Sequence, residues 1–252
     1  MTAMNPLENS LQQRVDRFLQ DPAHDMGKLY QSYTWKKDTH KMGFPDLFRL
    51  EKDISSAARQ NSLGIKHLIN IAKWGKLPNT KQISWPEPNK LQLYIDHQPA
   101  MWLTFNPGNA IATVEGQIHG FGPTYASKLL HFAVPQIFGA IDTRLVRTFG
   151  EGDKASQRYQ FLNLSVKWSG DRWAIPTYQS GWADEYGKWI CILNYIANTL
   201  NKNGTRCDHP PEYVQAGLRE KGIWLPADVE TALFSYASQK LEEKKHSPRT
   251  II

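Results

Sequence analysis

The residues best suited to chemistry are an isolated acid and two arginines in the segment IDTRLVRTFG. Asp142 stands where a helix N-cap belongs, and Arg144 and Arg147 follow within two helical turns. A cap fixes the rotamer of the carboxylate, so Asp142 can cap a helix and also serve as a general base or electrostatic stabiliser. A plain helix cap is the alternative interpretation.

A glycine-rich turn precedes this acid. Gly120 and Gly122 flank Phe121, and Pro123 opens the next helical run. Glycine permits a positive φ and the close approach of another backbone, and the exposed start of the following helix suits a phosphate. The alternative is an ordinary αα-hairpin whose apolar residues only fill the core. These core candidates are Ala126, Leu129, Leu130 and Phe132.

The segment resembles the helix-hairpin-helix DNA glycosylases, and most closely those with the 8-oxoguanine glycosylase fold. Their signature runs apolar-x-Gly-apolar-Gly, then alanine, and later apolar-Asp-x-x-apolar-x-Arg. Here it reads Ile118-His119-Gly120-Phe121-Gly122, Ala126 and Ile141-Asp142-Thr143-Arg144-Leu145-Val146-Arg147. The match covers Val114 to Phe149 strongly, and the surrounding helices only in general character.

The resemblance implies that Asp142 is the catalytic carboxylate facing the sugar of a flipped nucleotide. Breaking an N-glycosidic bond develops positive charge on the sugar. A fixed carboxylate can stabilise this charge electrostatically, or it can orient or deprotonate the attacking water. Thr124 stands where bifunctional members carry the lysine that forms a Schiff base, so the resemblance implies a monofunctional enzyme that leaves an abasic site. Lys128, one turn later, is interpreted as a surface lysine among phosphates, with residual lyase activity as the weaker alternative.

The same resemblance implies a DNA-binding surface and a cation. Its residues are Gly120, Phe121, Gly122, Thr124, Tyr125, Lys128, Arg144 and Arg147. The family also holds a monovalent cation, Na⁺ or K⁺, through backbone carbonyls that correspond to Gly116, Ile118 and Phe121. The two cysteines, Cys191 and Cys207, are too few for a four-cysteine iron–sulfur cluster, and the histidines show no zinc-site spacing. His119 and His131 are therefore expected to be hairpin and helix-face residues.

These features predict a DNA glycosylase that releases a damaged or modified base, in base-excision repair or in defence against modified phage DNA. One alternative is a non-catalytic helix-hairpin-helix module that grips phosphates within a repair or defence complex. A more remote one is an unrelated helical enzyme or adaptor. The residues that read the base stay open. Candidates for the base pocket are Trp35, Trp74, Trp102, Trp168, Trp173 and Trp182, and the basic segment KWGKLPNTK offers Lys73, Lys76 and Lys81.

Proline and glycine punctuation predicts an all-α fold of two helical subdomains with the hairpin beside a central cleft. The first subdomain spans 64–150 and the second combines 1–63 with 151–245, leaving a flexible tail at 246–252. Helices are predicted at Leu7–Leu19, Pro45–Ala58, Gly64–Trp74, Ala110–Ile118, Pro123–Phe132 and Pro226–Leu241, with another from Trp182 to Leu200. Residues 91–105 fit strand or buried helix equally.

Composition bounds the class without deciding it. The 252 residues carry a formal charge of +6, which favours a polyanionic partner but is weak evidence alone. No run approaches the roughly 20 apolar residues of a membrane helix, and the polar start lacks the apolar core of a secretory signal. We therefore expect a cytoplasmic, nucleoid-associated monomer.

Overall fold

The computed structural model describes residues 6–35, 43–85, 91–151, 159–170 and 172–246, and side chains as far as 242. Most of this chain is helical. In the first part lie α1 (Asn9–Gln20), α2 (Met26–Gln31), α3 (Phe44–Arg59) and α4 (Ile65–Trp74). The remaining helices are α5 (Trp102–Phe105), α6 (Pro107–Gln117), α7 (Pro123–Ala133), α8 (Thr143–Phe149), α9 (Trp182–Lys202), α10 (Pro211–Gln215) and α11 (Pro226–His246).

The helices that the sequence predicts are present, with ends displaced by a few residues except for α11, which runs on to His246. Two small antiparallel hairpins interrupt the helical pattern: β1 (Tyr94–Ile95) with β2 (Gln98–Pro99), and β3 (Lys167–Trp168) with β4 (Trp173–Ala174). The ambiguous 91–105 segment thus contains both a hairpin and the short helix α5. The all-α prediction is confirmed at the level of a mostly helical chain.

One continuous hydrophobic core joins the helices. α11 packs on α2, α8 and α9, while α6 packs on α9 and α3 on α7. The division into two subdomains stays a prediction, and residues 247–252 of the predicted tail lie outside the described residues. Among the described helices, none has the length and apolar character needed to cross a membrane.

A buried ion cluster fastens α3 to the start of α11. The guanidinium of Arg219 donates to both carboxylate oxygens of Glu51 and, from Nε, to Oδ1 of Asp228 at 2.8 Å. Oδ2 of Asp228 accepts the N–H of Leu225 at 2.9 Å, which caps α11. Because α11 also carries Glu230 and Phe234, this cluster fixes one wall of the site described next.

Candidate functional site

The turn between α6 and α7 uses its two glycines differently. Gly120 has φ +75°, and a Cβ there would lie 2.7 Å from the carbonyl oxygen of Gln82. The neighbouring backbones form a short antiparallel bridge, in which the N–H of His119 donates to the oxygen of Ser84 at 3.0 Å. Gly122 has an ordinary φ of −73° and open space around it. Gly120 therefore meets both expectations for a hairpin glycine, while Gly122 leaves the start of α7 uncovered.

The uncovered start of α7 presents backbone donors. Pro123 has no N–H, and the N–H groups of Gly122 and Thr124 make no hydrogen bond with any described residue. Donors at a helix N-terminus, together with the helix dipole, form a suitable place for an anion. Phe121 is 3% exposed, so only its backbone can face a ligand here.

Asp142 caps α8 as its sequence position predicts. Its Oδ1 accepts the N–H of Arg144 at 2.8 Å and of Leu145 at 3.0 Å. The preceding residue, Ile141, donates its N–H to the buried hydroxyl of Ser127 at 3.1 Å, which ties this turn to α7. Oδ2 forms no hydrogen bond within the described residues. The carboxylate is thus held by one oxygen while the other stays available.

Asp142 lies in the wall of a small cavity that is partly open to solvent. The cavity is narrow, since the space that the centre of a water molecule can occupy is about 30 Å³. Its walls include the aromatic rings of Tyr33, Trp35, Trp74, Phe132 and Phe234. Lysine, histidine and carboxylic acid side chains also line it: Lys128, His131, Asp142 and Glu230. An apolar cleft with a few converging polar groups is the usual form of a small-ligand site.

Lys128 is part of this cavity, and the interpretation of it as a surface lysine is wrong. The residue is 7% exposed. Its ammonium lies 4.8 Å from the ring centroid of Trp74, 5.2 Å from Trp35 and 5.4 Å from Tyr125. Lys128 follows Thr124 by one helical turn and lies on the face of α7 that points into the protein. Its side chain is therefore kept away from solvent. Aromatic faces favour the charged ammonium.

Glu230 and His131 form a buried pair that also lines the cavity. Oε2 of Glu230 lies 3.2 Å from Nδ1 of His131, and the same Nδ1 accepts the N–H of Ala140 at 3.3 Å. Burial has the largest influence on the pKa of Glu230 and raises it, and the negative charge of Asp142 acts in the same direction. The hydrogen bond and charge of His131 and the charge of Lys128 oppose this rise. The pKa of this carboxyl group is therefore raised because burial outweighs its partners.

The arginines of α8 and Tyr125 are outside the cavity lining, although Arg144 packs against two residues of that lining. The guanidinium of Arg144 packs 4.8 Å from the ring centroid of Trp35 and 5.2 Å from that of Phe234. Arg147 packs 4.9 Å from the ring centroid of Trp173. The hydroxyl of Tyr125 donates to the oxygen of Gly75 at 2.9 Å, and burial raises its pKa to about 12. Whether these residues bind DNA stays a prediction.

The tryptophan candidates separate into three groups. Trp35 and Trp74 line the cavity, with ring centroids 5.8 Å apart. Trp182 belongs to the core, where its Nε1 donates to Glu115 at 2.9 Å, and Trp102 lies outside the cavity lining, with Nε1 donating to the oxygen of Gln92. Trp168 and Trp173 form an exposed pair on the β3–β4 hairpin.

Two further groups bear on metal binding. The carbonyl oxygens of Gly116, Ile118 and Phe121 accept no hydrogen bond from residues outside the helical ladder in the described chain, so they are compatible with the cation ligands that the resemblance implies. A second group joins Cys207, His209 and Asp228 with ligand atoms within 4.8 Å. There Asp228 is already bound by Arg219, and burial raises the pKa of the Cys207 thiol well above its ordinary value, which disfavours a metal-binding thiolate.

The sequence interpretation missed the contribution of α11. Glu230, Thr231 and Phe234 enter the cavity from a helix nearly 90 residues beyond Asp142. The available signal was an acid, Glu230, directly before the largely apolar run TALFSYA. Comparison of the chain with protein-family models, curated proteins and solved structures found no match.

Proposed function

We propose that the protein is a monofunctional DNA glycosylase that hydrolyses the N-glycosidic bond of a damaged or modified base flipped out of DNA. The observation that carries the proposal is the carboxylate of Asp142, which is fixed by two cap bonds in the wall of an aromatic-lined cavity. A simple phosphate-gripping module has no need for such a cavity beside its helix cap.

The cavity supplies groups suited to each stage of the reaction. Trp35 and Trp74 offer aromatic surfaces to a base, and their separation has to widen before a base can stack between them. The bond between C1′ and the base nitrogen breaks with its electron pair moving to the base. Asp142 stabilises the cationic sugar, and water attacks C1′. The products are a free base, which takes up a proton, and an abasic site.

The cavity also holds the positive charge that a departing base requires. The ammonium of Lys128 faces negative charge as it develops on the base, and the charge of Lys128 also lowers the pKa of Glu230. Its three aromatic neighbours favour the protonated state, in which an amine is not a nucleophile. With Thr124 at the position of the family lysine, we expect no strand cleavage by the protein itself.

In this proposal the DNA backbone meets the start of α7 and the arginines of α8. The N–H groups of Gly122 and Thr124 are directed at a phosphate in this proposal, with Arg144 close to the cavity mouth. A Na⁺ or K⁺ on the carbonyls of Gly116, Ile118 and Phe121 would supply additional positive charge for the same phosphate. Neither contact selects a particular base.

The test is mass-spectrometric detection of a free base after incubation with modified genomic and phage DNA. We expect base release by the wild-type protein and a loss of at least about 100-fold in Asp142→Asn, because one electrostatic stabiliser of a transition state contributes roughly that much. Asparagine also caps helices, so the variant should fold and retain most of its DNA affinity.

Asp25→Asn is the matched control, since Asp25 caps α2 through the same type of bond, to the N–H of Lys28 at 3.0 Å, away from the cavity. This variant should release base at the wild-type rate. DNA binding without base release on any modified substrate would favour the non-catalytic module. Full activity of Asp142→Asn would refute the catalytic role of this residue.

A further inference from the structure

The β3–β4 hairpin exposes two large aromatic rings. Trp168 is 51% exposed and Trp173 is 39% exposed, and they face each other across the ladder with ring centroids 5.3 Å apart. The rings meet edge to face at 68°. Adjacent exposed tryptophans on a soluble surface mark an interaction site more often than isolated apolar residues do.

The conformation of the hairpin keeps the ring of Trp168 exposed to solvent. Its turn contains Gly170 at φ +87°, and the N–H of Ser169 donates to the oxygen of Arg172 at 2.9 Å. The guanidinium of Arg147 lies 4.9 Å from the ring centroid of Trp173, so Trp173 is supported from α8. Trp168 rests on Trp173 and is the more exposed ring of the pair.

Basic side chains flank the aromatic pair. Lys167 and Arg172 are exposed on the hairpin itself, and Arg147 approaches from α8. The hairpin sequence also contains one acid, Asp171, so its basic residues outnumber its acidic one by two to one.

We propose that this hairpin is a stacking platform for unpaired nucleobases of a DNA strand, with Trp168 as the stacking ring. Lys167 and Arg172 contact the flanking phosphates, while Trp173 and Arg147 hold the platform in place. Basic grooves with protruding aromatic rings bind single strands because every base offers a π-face, whatever its sequence. The inference rests on the proposed function for the identity of the polymer, DNA, but not for base excision.

The experiment compares the affinity of the protein for unmodified oligo(dT) and for an unmodified duplex. Trp168→Ala should weaken oligo(dT) binding by roughly 5- to 150-fold, the range for one stacked base, and change duplex binding little. Trp168→Phe should restore most of the affinity. Phe105→Ala is the matched control, since Phe105 is 60% exposed on α5, and it should leave both affinities unchanged.

Two further measurements sharpen the result. Lys167→Ala and Arg172→Ala should each reduce the slope of log affinity against log salt by about 1, because each removes one phosphate contact. Irradiation with an oligonucleotide that contains 5-iododeoxyuridine should crosslink the oligonucleotide to the peptide that contains Trp168.

Unchanged oligo(dT) affinity in Trp168→Ala would overturn the inference. So would a concentration-dependent dimer that this variant abolishes while its DNA affinity stays at the wild-type value, because the rings would then cover a protein interface. Failure of the proposed function looks different: no base is released, yet oligo(dT) binding still depends on Trp168.

Discussion

Two clusters of buried charge in this protein differ in what surrounds them. In the ion cluster, Arg219 lies between Glu51 and Asp228, and the side chains of all three are at most 2% exposed. The guanidinium meets a carboxylate on two sides, and Asp228 uses its second oxygen to cap α11. The cluster is closed, because one guanidinium bridges two carboxylates and the polar atoms of all three side chains are bonded to protein.

The cavity cluster is also buried but open on one side. Asp142 uses one oxygen for its cap bonds, Lys128 lies among aromatic rings, and Glu230 shares a histidine nitrogen with a backbone N–H. All three border empty space. A buried charge with complete protein partners stabilises a fold, whereas one that borders a cavity retains capacity for a ligand. The comparison indicates a structural role for the first cluster, and for the second it indicates the capacity for a ligand on which the proposed function relies.

The largest expected effect on stability comes from breaking the closed cluster. Arg219→Met leaves the carboxylates of Glu51 and Asp228 buried without their cation, and we expect the free energy of unfolding to fall by about 3 to 5 kcal/mol. Denaturant unfolding measures it. Asp142→Asn is the contrasting variant, because it keeps the cap of α8 and should change the free energy of unfolding by less than about 1 kcal/mol.

Arg219→Lys refines this prediction. Lysine retains the charge but cannot bind Glu51 with two parallel hydrogen bonds, so its stability should lie between those of the wild type and Arg219→Met. A decrease of less than about 1 kcal/mol in the free energy of unfolding of Arg219→Met would contradict the structural role. Buried carboxylates that lose their cation should destabilise the fold by more than that.

The second prediction concerns Lys128, whose removal should affect chemistry more than folding. In Lys128→Met the ring contacts are largely kept, so the free energy of unfolding should fall by no more than about 2 kcal/mol. If the proposed glycosylase reaction takes place here, the single-turnover rate of base release should fall by about 100-fold, because the cation that the proposal places opposite the departing base is lost. Lys28→Met, at a lysine with an 84% exposed side chain, should change neither quantity.

Equal rates in Lys128→Met and wild type would show that the ammonium only fills space in the aromatic cage. A large decrease in the free energy of unfolding with an unchanged rate per folded molecule would mean that Lys128, like Arg219, has a structural role. Either outcome would break the contrast between the two clusters.

The parts of the site that sequence could predict are those set by local rules. Gly120, Pro123 and the cap residue Asp142 act through backbone conformation and hydrogen bonds within a few residues, so their patterns predict the turn, α7 and α8. Gly122 shows the limit of such rules. Its φ is ordinary, and the lack of a side chain matters there because it leaves the start of α7 uncovered.

The rest of the cavity depends on contacts that no local pattern encodes. Trp35, Trp74 and Glu230 come from three distant segments, and packing alone brings them to Asp142. Lys128 was assigned to the surface because lysine is usually exposed, but its face of α7 is determined by the helices packed against it. The β3–β4 hairpin was missed because two-residue strands have no detectable alternation.

The smallest effect, and the one that tests the raised pKa of Glu230 directly, is the pH dependence that this residue confers on stability. Burial, followed by the charge of Asp142, raises the pKa of Glu230 above its ordinary 4.5, while His131 and Lys128 oppose the rise. The folded state thus holds this proton more tightly than the unfolded state. The resulting stabilisation is present below pH 4.5 and is lost as pH rises through the folded pKa.

Glu230→Gln cannot ionise, so the free energy of unfolding of the wild type minus that of the variant should decrease as pH increases from 4.5, by at most about 1.4 kcal/mol per pH unit. Urea unfolding at a series of pH values measures this difference. In a Lys128→Met background the decrease should start at the same pH but extend to higher pH and be larger in total, because the cation that lowers the folded-state pKa of Glu230 is gone. A difference that grows with pH would mean that Glu230 is ionised and stabilised by its partners, which would give the cavity two anions and make it resemble the closed cluster.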